Sequence, residues 1–267
     1  GVASIPNASM PASWRSCLLG MNTLASTEAG MEKIGKFLRY HGSDGLGYNS
    51  EWTGNWSATE QTALSAMHGK LVKYMKQYQP DFENVWYGGT NDNGSVNFND
   101  QLSSDFYETF GYKDEPRTIL FLNYNWNTTT KLSQDAAGIN ATGRDPRDIY
   151  MGMNMQGGLK TPTEWDQHLN IPYSIGLWGA HQVNYIWINR NQEGGTDAAK
   201  QATYQKHLEY WFTNGKRNPA YKMDPVNSLT ATKDFMGMSR YMEARSTLKW
   251  DLTKEPFVTF FNIGGGA

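Results

Sequence analysis

Short apolar runs alternate with longer amphipathic stretches along most of this chain. The runs lie at 2–6, 45–49, 84–88, 118–126, 149–156 and 174–180, and several are apolar almost throughout, as strands of a sheet covered on both faces should be. Between them, apolar residues recur every three or four positions. In EAGMEKIGKFLRYH, Met31, Ile34 and Leu38 share one helical face, as do Leu64, Met67, Leu71 and Met75 in ATEQTALSAMHGKLVKYMKQY. The same spacing of Phe98, Leu102 and Phe106 predicts a helix over 98–110, and 196–213 is a further helix candidate ending at Asn214-Gly215.

Strand, helix and strand at intervals of a few tens of residues predict βαβ units and a parallel sheet. The expected fold class is α/β, a (β/α)8 barrel of the TIM type, with a doubly wound open sheet as the second choice. Six strand-like runs precede the terminal PFVTFFNIGGGA, whereas a barrel has eight strands, so the first barrel strands are expected to be missing from this chain. Residues 1–255 are then a barrel domain carrying strands 3–8, and 256–267 begin a further domain downstream.

In such a barrel the active site forms at the C-terminal ends of the strands. Side chains alternate along a strand, so Asn49 and Glu51, two apart at the end of GLGYNSE, should point into the same mouth. Other strand ends bring Pro6 and Asn7, Trp86 and Tyr87, Asn123, Tyr124, Asn125 and Trp126, Asn154 and Gln156, then Trp178 and His181. These are amides, aromatics and one histidine; at the strand tips legible in the sequence, Glu51 is the sole carboxylate.

Composition narrows the chemistry. The net charge of -2 supplies no basic field for nucleic acid, and no apolar run approaches the ~20 residues of a membrane span. The opening GVASIPNASMP lacks the charged region of a signal peptide, and a leader removed earlier is compatible with that. Cys17 stands alone, which excludes a cysteine metal cluster, and in WRSCLLGM it is expected to be a buried structural thiol. The five histidines show no metal-ligand spacing, so neither metal nor cofactor is expected. GTNDNGS has Gly89 where a calcium loop needs its first Asp, and is expected to be a turn. Ten Trp, fifteen Tyr and eleven Phe are unusual. Most of them serve a core, and flat apolar rings with polar edges also suit sugars.

Most glycosidases use two carboxylates. Substrate assistance needs only one, because the sugar's own 2-acetamido oxygen attacks the anomeric carbon. One acid/base and one amide to hold the acetamide then suffice, and Glu51 with Asn49 meets that need. By spacing alone the alternative, a solvated loop after a strand, is favoured, since Asn-x-Glu is common by chance.

Several stretches together resemble glycoside hydrolase family 85, the endo-β-N-acetylglucosaminidases. YHGSDGLGYNSEW resembles the family's fourth-strand block with its Asn-x-Glu, VWYGGTNDNGSVNFNDQL the fifth, ILFLNYNW the sixth, IYMGMNMQGG the seventh, SIGLWGAHQVN the eighth, and PFVTFFNIGGG the block beyond the barrel. The blocks follow the family's order from about residue 30 to the end. The resemblance implies that Glu51 is the acid/base and that Asn49 orients the acetamide. It also implies that Tyr87 contacts the reacting N-acetyl group. Trp86, Phe98, Asn123, Trp126, Asn154 and Trp178 are the further substrate-binding candidates. The implied reaction cuts the β-1,4 bond of the N,N'-diacetylchitobiose core of an N-glycan or glycoprotein, retaining configuration, with no metal or cofactor. A downstream β-rich domain or the missing strands would be partners.

Two positions depart from the family: Gly88 replaces an Asp after Trp-Tyr, and Asn154 replaces the acid of Gly-Ile-Asp. They keep a non-catalytic N-glycan-binding barrel open as an alternative. A two-carboxylate glycosidase of another family is a further one. Family context suits a secreted or periplasmic bacterial enzyme, and a cytoplasmic one fits the same composition.

Overall fold

A computed structural model describes residues 12–52, 56–154, 168, 170–178, 196, 198 and 199. The expected strand at 2–6, with Pro6 and Asn7, lies outside these residues, as do Gln156, His181, nearly all of the 196–213 helix and the segment 256–267.

The chain enters through two helices, α1 (Ala12–Ala25) and α2 (Glu28–Tyr40). Thr27 caps α2 by accepting from Gly30 N at 3.0 Å, and Met31, Ile34 and Leu38 form its buried face as their spacing predicts. Strand β1 (Gly45–Tyr48) leads to α3 (Ala58–Met75). Ser57 and Glu60 close a capping box at the start of α3, and Arg15 of α1 reaches the same Glu60 at 2.8 Å, tying the two helices together. Strand β2 (Glu83–Tyr87) follows. Helix α4 (Tyr107–Phe110) and a two-stranded hairpin, β3 (Gly111–Tyr112) with β4 (Glu115–Pro116), precede β5 (Ile119–Phe121). Helix α5 (Thr129–Thr142) then crosses to β6 (Ile149–Asn154), and the last described strand is β7 (Ser174–Trp178).

Among the described residues the main sheet has five strands, all parallel, in the order β1-β2-β5-β6-β7. The α/β class with a parallel sheet is as expected. Register decides which residues share a face. Tyr48, Trp86, Leu120 and Ile149 form one row across the sheet, and the next row is Tyr87, Phe121, Tyr150 and Ser174. The first row faces the helices: Tyr48 packs 5.0 Å from His68 of α3, and all four residues are buried. The second row faces the other way, and its aromatics are accommodated by glycines. A Cβ on Gly176 would stand 2.3 Å from the Phe121 ring, so glycine there leaves room for it.

Two expectations are corrected. Only the last turns of the predicted 98–110 helix form, as a 3-10 turn (Ser104–Phe106) and α4. Upstream, the backbone bonds elsewhere: Asn99 N donates to Gly88 O at 2.9 Å, Asn123 N donates to Asn99 O at 2.9 Å, and Leu102 N is taken by Asp135. Cys17 is exposed, not buried, because α1 turns Leu18 and Ala25 inward and Cys17 lies about 100° round from Leu18.

Candidate active site

The site is assembled at the C-terminal ends of β1, β2, β5, β6 and β7. Strand β1 stops at Tyr48, and the chain turns at once, Glu51 N donating to Asn49 O at 2.9 Å. Strand β2 ends in the same way, Gly89 N donating to Tyr87 O at 2.7 Å. These three-residue turns are tight bends common at strand ends. Asn49 continues the alternation of Gly45 and Gly47 and is buried.

The loop around Glu51 is held against the end of β2. Ser50 Oγ donates to Tyr87 O at 2.5 Å, and Thr90 Oγ1 donates to Ser50 O at 2.5 Å. Trp52 N donates to Thr90 Oγ1 at 3.2 Å. Gly89 makes this approach possible, since a Cβ there would stand 2.5 Å from Ser50 O and 3.5 Å from Glu51 Cγ.

Glu51 is half-buried, and burial alone pushes its carboxyl above the usual glutamate range. None of the ion pairs among the described residues involves it. Tyr87 is pushed up to about 12 by burial and by the negative charge of Glu51, and the neighbouring Tyr124 hydroxyl hydrogen-bonds to it. Tyr124 is raised by burial, by Tyr87 and by Glu51. Glu51 and both tyrosines therefore occupy one electrostatic neighbourhood.

Tyr87 is the centre of an aromatic cluster. Its hydroxyl donates to Asn123 Oδ1 at 3.0 Å, and its ring lies stacked with Trp178 at 6.1 Å and 15°. Phe121, Phe98 and Tyr124 ring centroids stand 6.1, 6.2 and 6.5 Å from it. Phe98 is 49% exposed at the rim, while Trp178 and Asn154 are partly buried and face each other in register at the ends of β7 and β6.

The sequence candidates thus divide. Asn49, Glu51, Tyr87, Phe98, Asn123, Asn154 and Trp178 stand at the strand tips. Trp86 and Trp126 are corrected. Trp86 is on the helix side of β2, 0% exposed, with Nε1 given to Thr90 O at 3.0 Å. Trp126 is 1% exposed, gives Nε1 to Gly152 O at 2.9 Å and packs edge-on to His168. Both indoles are committed to holding strand ends, which leaves no ring face or donor for a sugar.

The sequence reading also missed an acid. Asp100 is close enough for its charge to raise Tyr87. It is engaged: Oδ2 pairs with Lys131 Nζ at 2.8 Å, and Oδ1 accepts from Asn125 N at 3.0 Å. It comes from a loop, where strand alternation makes no forecast. Ser50, Gly89 and Thr90 were missed for a related reason, since nothing in their local pattern marks a contact spanning about 40 residues.

A cavity of about 470 Å³ opens at the opposite, N-terminal end of the sheet, lined among others by Lys76, Glu83, Asn84, Arg117, Arg144 and Asp148. Its central charges are matched: Arg144 bonds Asp148 at 2.8 Å and the carbonyls of Phe110 and Thr118. Among the described residues no helix is long and apolar enough to cross a membrane, and no group of three His, Cys, Asp or Glu side chains is placed to hold a metal.

Residues 8–267 match the family described as glycosyl hydrolase family 85. The fold is similar to the crystal structure of the glycoside hydrolase domain of Endo-D from Streptococcus pneumoniae R6, with a TM-score of 0.61 and 22% identity. That similarity covers 92% of this chain and 36% of the Endo-D chain, so this chain spans little more than a third of its length. No curated protein sequence matches significantly.

Proposed function

Because this chain belongs to glycosyl hydrolase family 85, we propose that it is an endo-β-N-acetylglucosaminidase. Its substrate would be an N-glycan, cut at the β-1,4 bond of the N,N'-diacetylchitobiose core by substrate-assisted, retaining catalysis. The observation that carries this is Glu51. It is a carboxyl raised by burial with no cation beside it among the described residues, next to the Tyr87–Asn123 pair at the strand tips. A carboxyl raised by burial holds its proton more tightly than an ordinary glutamate, which suits a general acid.

Glu51 would give that proton to the glycosidic oxygen as the bond to the anomeric carbon breaks. The 2-acetamido oxygen of the same sugar would attack that carbon and form an oxazoline. Asn49 would accept a hydrogen bond from the acetamide N–H and steady the developing positive charge. Water, deprotonated by Glu51, would then open the ring and return the starting configuration. Tyr87 would face the acetamide, and Trp178 and Phe98 would offer ring faces to the sugar. The five parallel strands among the described residues support a (β/α)8 barrel. A secreted or periplasmic location belongs to the same proposal.

Asp100 favours one alternative, a two-carboxylate glycosidase. Its ties to Lys131 and Asn125 N argue against it, since a nucleophile must face the anomeric carbon unencumbered. Release of an Asn-linked high-mannose glycan tests the proposal, with Asp100→Asn and Glu51→Gln side by side. Loss in the Glu51 variant alone supports substrate assistance, as does turnover of a sugar oxazoline donor. Equal collapse of both variants would point to two carboxylates. Full turnover by Glu51→Gln removes the assignment altogether.

A further inference from the structure

Glu51 belongs to no regular element, yet an acid/base must be aimed within a fraction of an ångström. The backbone around it is fixed from outside. Its preceding peptide group is bonded at both ends, the Ser50 carbonyl accepting from Thr90 Oγ1 at 2.5 Å and the Glu51 N–H donating to Asn49 O at 2.9 Å. Its following peptide group is bonded through Trp52 N, which donates to the same Thr90 Oγ1 at 3.2 Å. One hydroxyl therefore touches both peptide units that flank Glu51, donating to one and accepting from the other. Those units define the backbone angles φ and ψ of Glu51, and so the direction of its Cα–Cβ bond.

Thr90 is itself immobilised. It is 0% exposed, its carbonyl accepts from Trp86 Nε1 at 3.0 Å, and it forms a β-bridge with Val96. Its β-branch limits the side-chain rotamers and so holds the hydroxyl in place. The buried Trp86, a poor sugar contact, acquires a purpose here as the prop beneath Thr90.

We propose that Thr90 is the positioning residue of Glu51, its single hydroxyl gripping both flanking peptides so that the carboxyl is held facing the strand-tip cluster. The proposal rests on the assignment of Glu51 as acid/base for its catalytic consequence, though not for its geometry. Thr90 has no contact with substrate in this scheme and acts only through Glu51.

The full chain is tested as wild type, Thr90→Val, Thr90→Ser, Glu51→Gln and the double variant Thr90→Val/Glu51→Gln. Valine keeps the shape and removes both bonds. Its kcat should fall roughly 10- to 100-fold, as misplacement of about an ångström does. KM should stay within about twofold, because ground-state binding is untouched. Serine should recover most of the rate. The double variant should be no slower than Glu51→Gln alone, since a residue acting through Glu51 has nothing left to position. Independently of turnover, the Glu51 carboxyl-carbon NMR titration should move in Thr90→Val and return in Thr90→Ser. If valine does not fold, Thr90→Cys, with a weakly bonding thiol of similar size, should show the same displacement to a smaller degree. Wild-type glycan release with Thr90→Val matching it in kcat and in Glu51 titration overturns the clamp and leaves the function standing. A silent wild type in which Thr90→Val still displaces the Glu51 titration discards the function and keeps the clamp. Equal added losses from Thr90→Val in the wild-type and Glu51→Gln backgrounds would also overturn it, by marking Thr90 as a general structural residue.

Discussion

The two ends of the parallel sheet are built from different residue types and behave oppositely. At the N-terminal end, Arg144 is matched to Asp148 and two carbonyls, and Arg117 to Glu108 and Glu115, around a cavity of about 470 Å³. At the C-terminal end, Glu51 has no cation beside it among the described residues and is raised by burial, with aromatics ranged about its neighbour Tyr87. The N-terminal end has its charge spent on structure, and the other keeps an unpaired carboxyl that burial raises. An unneutralised, partly desolvated carboxyl is a stronger marker of a candidate site than a cavity whose charges are paired.

The sharpest way to break this contrast is Glu51→Gln. Loss of proton transfer should lower kcat by about 10²–10⁴ while the unfolding temperature stays close to wild type. In the wild type, burial keeps Glu51 protonated to higher pH than an ordinary glutamate, so kcat/KM should fall as pH rises through that raised value. The variant should lose that limb; an unchanged profile would remove Glu51 from its role.

The mirror experiment is Arg144→Met at the other end. It strands Asp148, removes one of the donors to the Phe110 carbonyl and takes the Arg144 donor from the Thr118 carbonyl, so urea unfolding should show a loss of about 3 kcal/mol. Turnover of the folded fraction should be unchanged. A specific fall in turnover would mean that the floor takes part in catalysis and that the contrast is false.

Tyr87→Phe probes the mouth more gently. It removes the bond to Asn123 at 3.0 Å and the contact assigned to the acetamide, and glycan release should drop about fivefold, in line with one neutral hydrogen bond of ~1 kcal/mol. An effect on KM alone would make Tyr87 a binding residue only.

The smallest effect compares two buried acids. Asp135 of α5 is fully buried and pushed up to about 7 by burial, offset in part by its bond from Leu102 N. A raised carboxyl stabilises the fold in its protonated form, so this contribution is complete below its unfolded value of about 3.9. It is lost as pH rises through about 7. The wild-type unfolding temperature should fall by a few degrees between pH 5 and pH 8, and Asp135→Asn should flatten that slope without touching the activity profile. Burial raises both acids, and of the two only Glu51 stands at the open strand tips, where the proposed reaction would use it.

Much of this was legible in the sequence because it is local. The periods of Met31, Ile34 and Leu38 and of Leu64, Met67, Leu71 and Met75 depend on residues within two turns, and these helices form as read. The strands at 45–48, 83–87, 149–154 and 174–178 follow from their own apolar runs. The same logic failed at 98–110, where Asn99 N bonds to the Gly88 carbonyl and Leu102 N to the Asp135 carboxylate instead of to helical partners. The Asn-x-Glu pair and the block order were likewise written in consecutive residues.

The assignment of aromatics to core or mouth was decided only by tertiary structure. Trp86 and Tyr87 are adjacent in sequence, and parallel register sends one to the helices and the other to the strand tips. Trp126 reads as a cleft residue until Gly152 O takes its N–H. Asp100 reads as an ordinary loop acid until Lys131 pairs with it, and Thr90 as an ordinary threonine until it meets Ser50 and Trp52 across the sheet. Hydrogen bonds and desolvation depend on which atoms arrive from distant segments, and a single chain's local pattern holds no record of those arrivals.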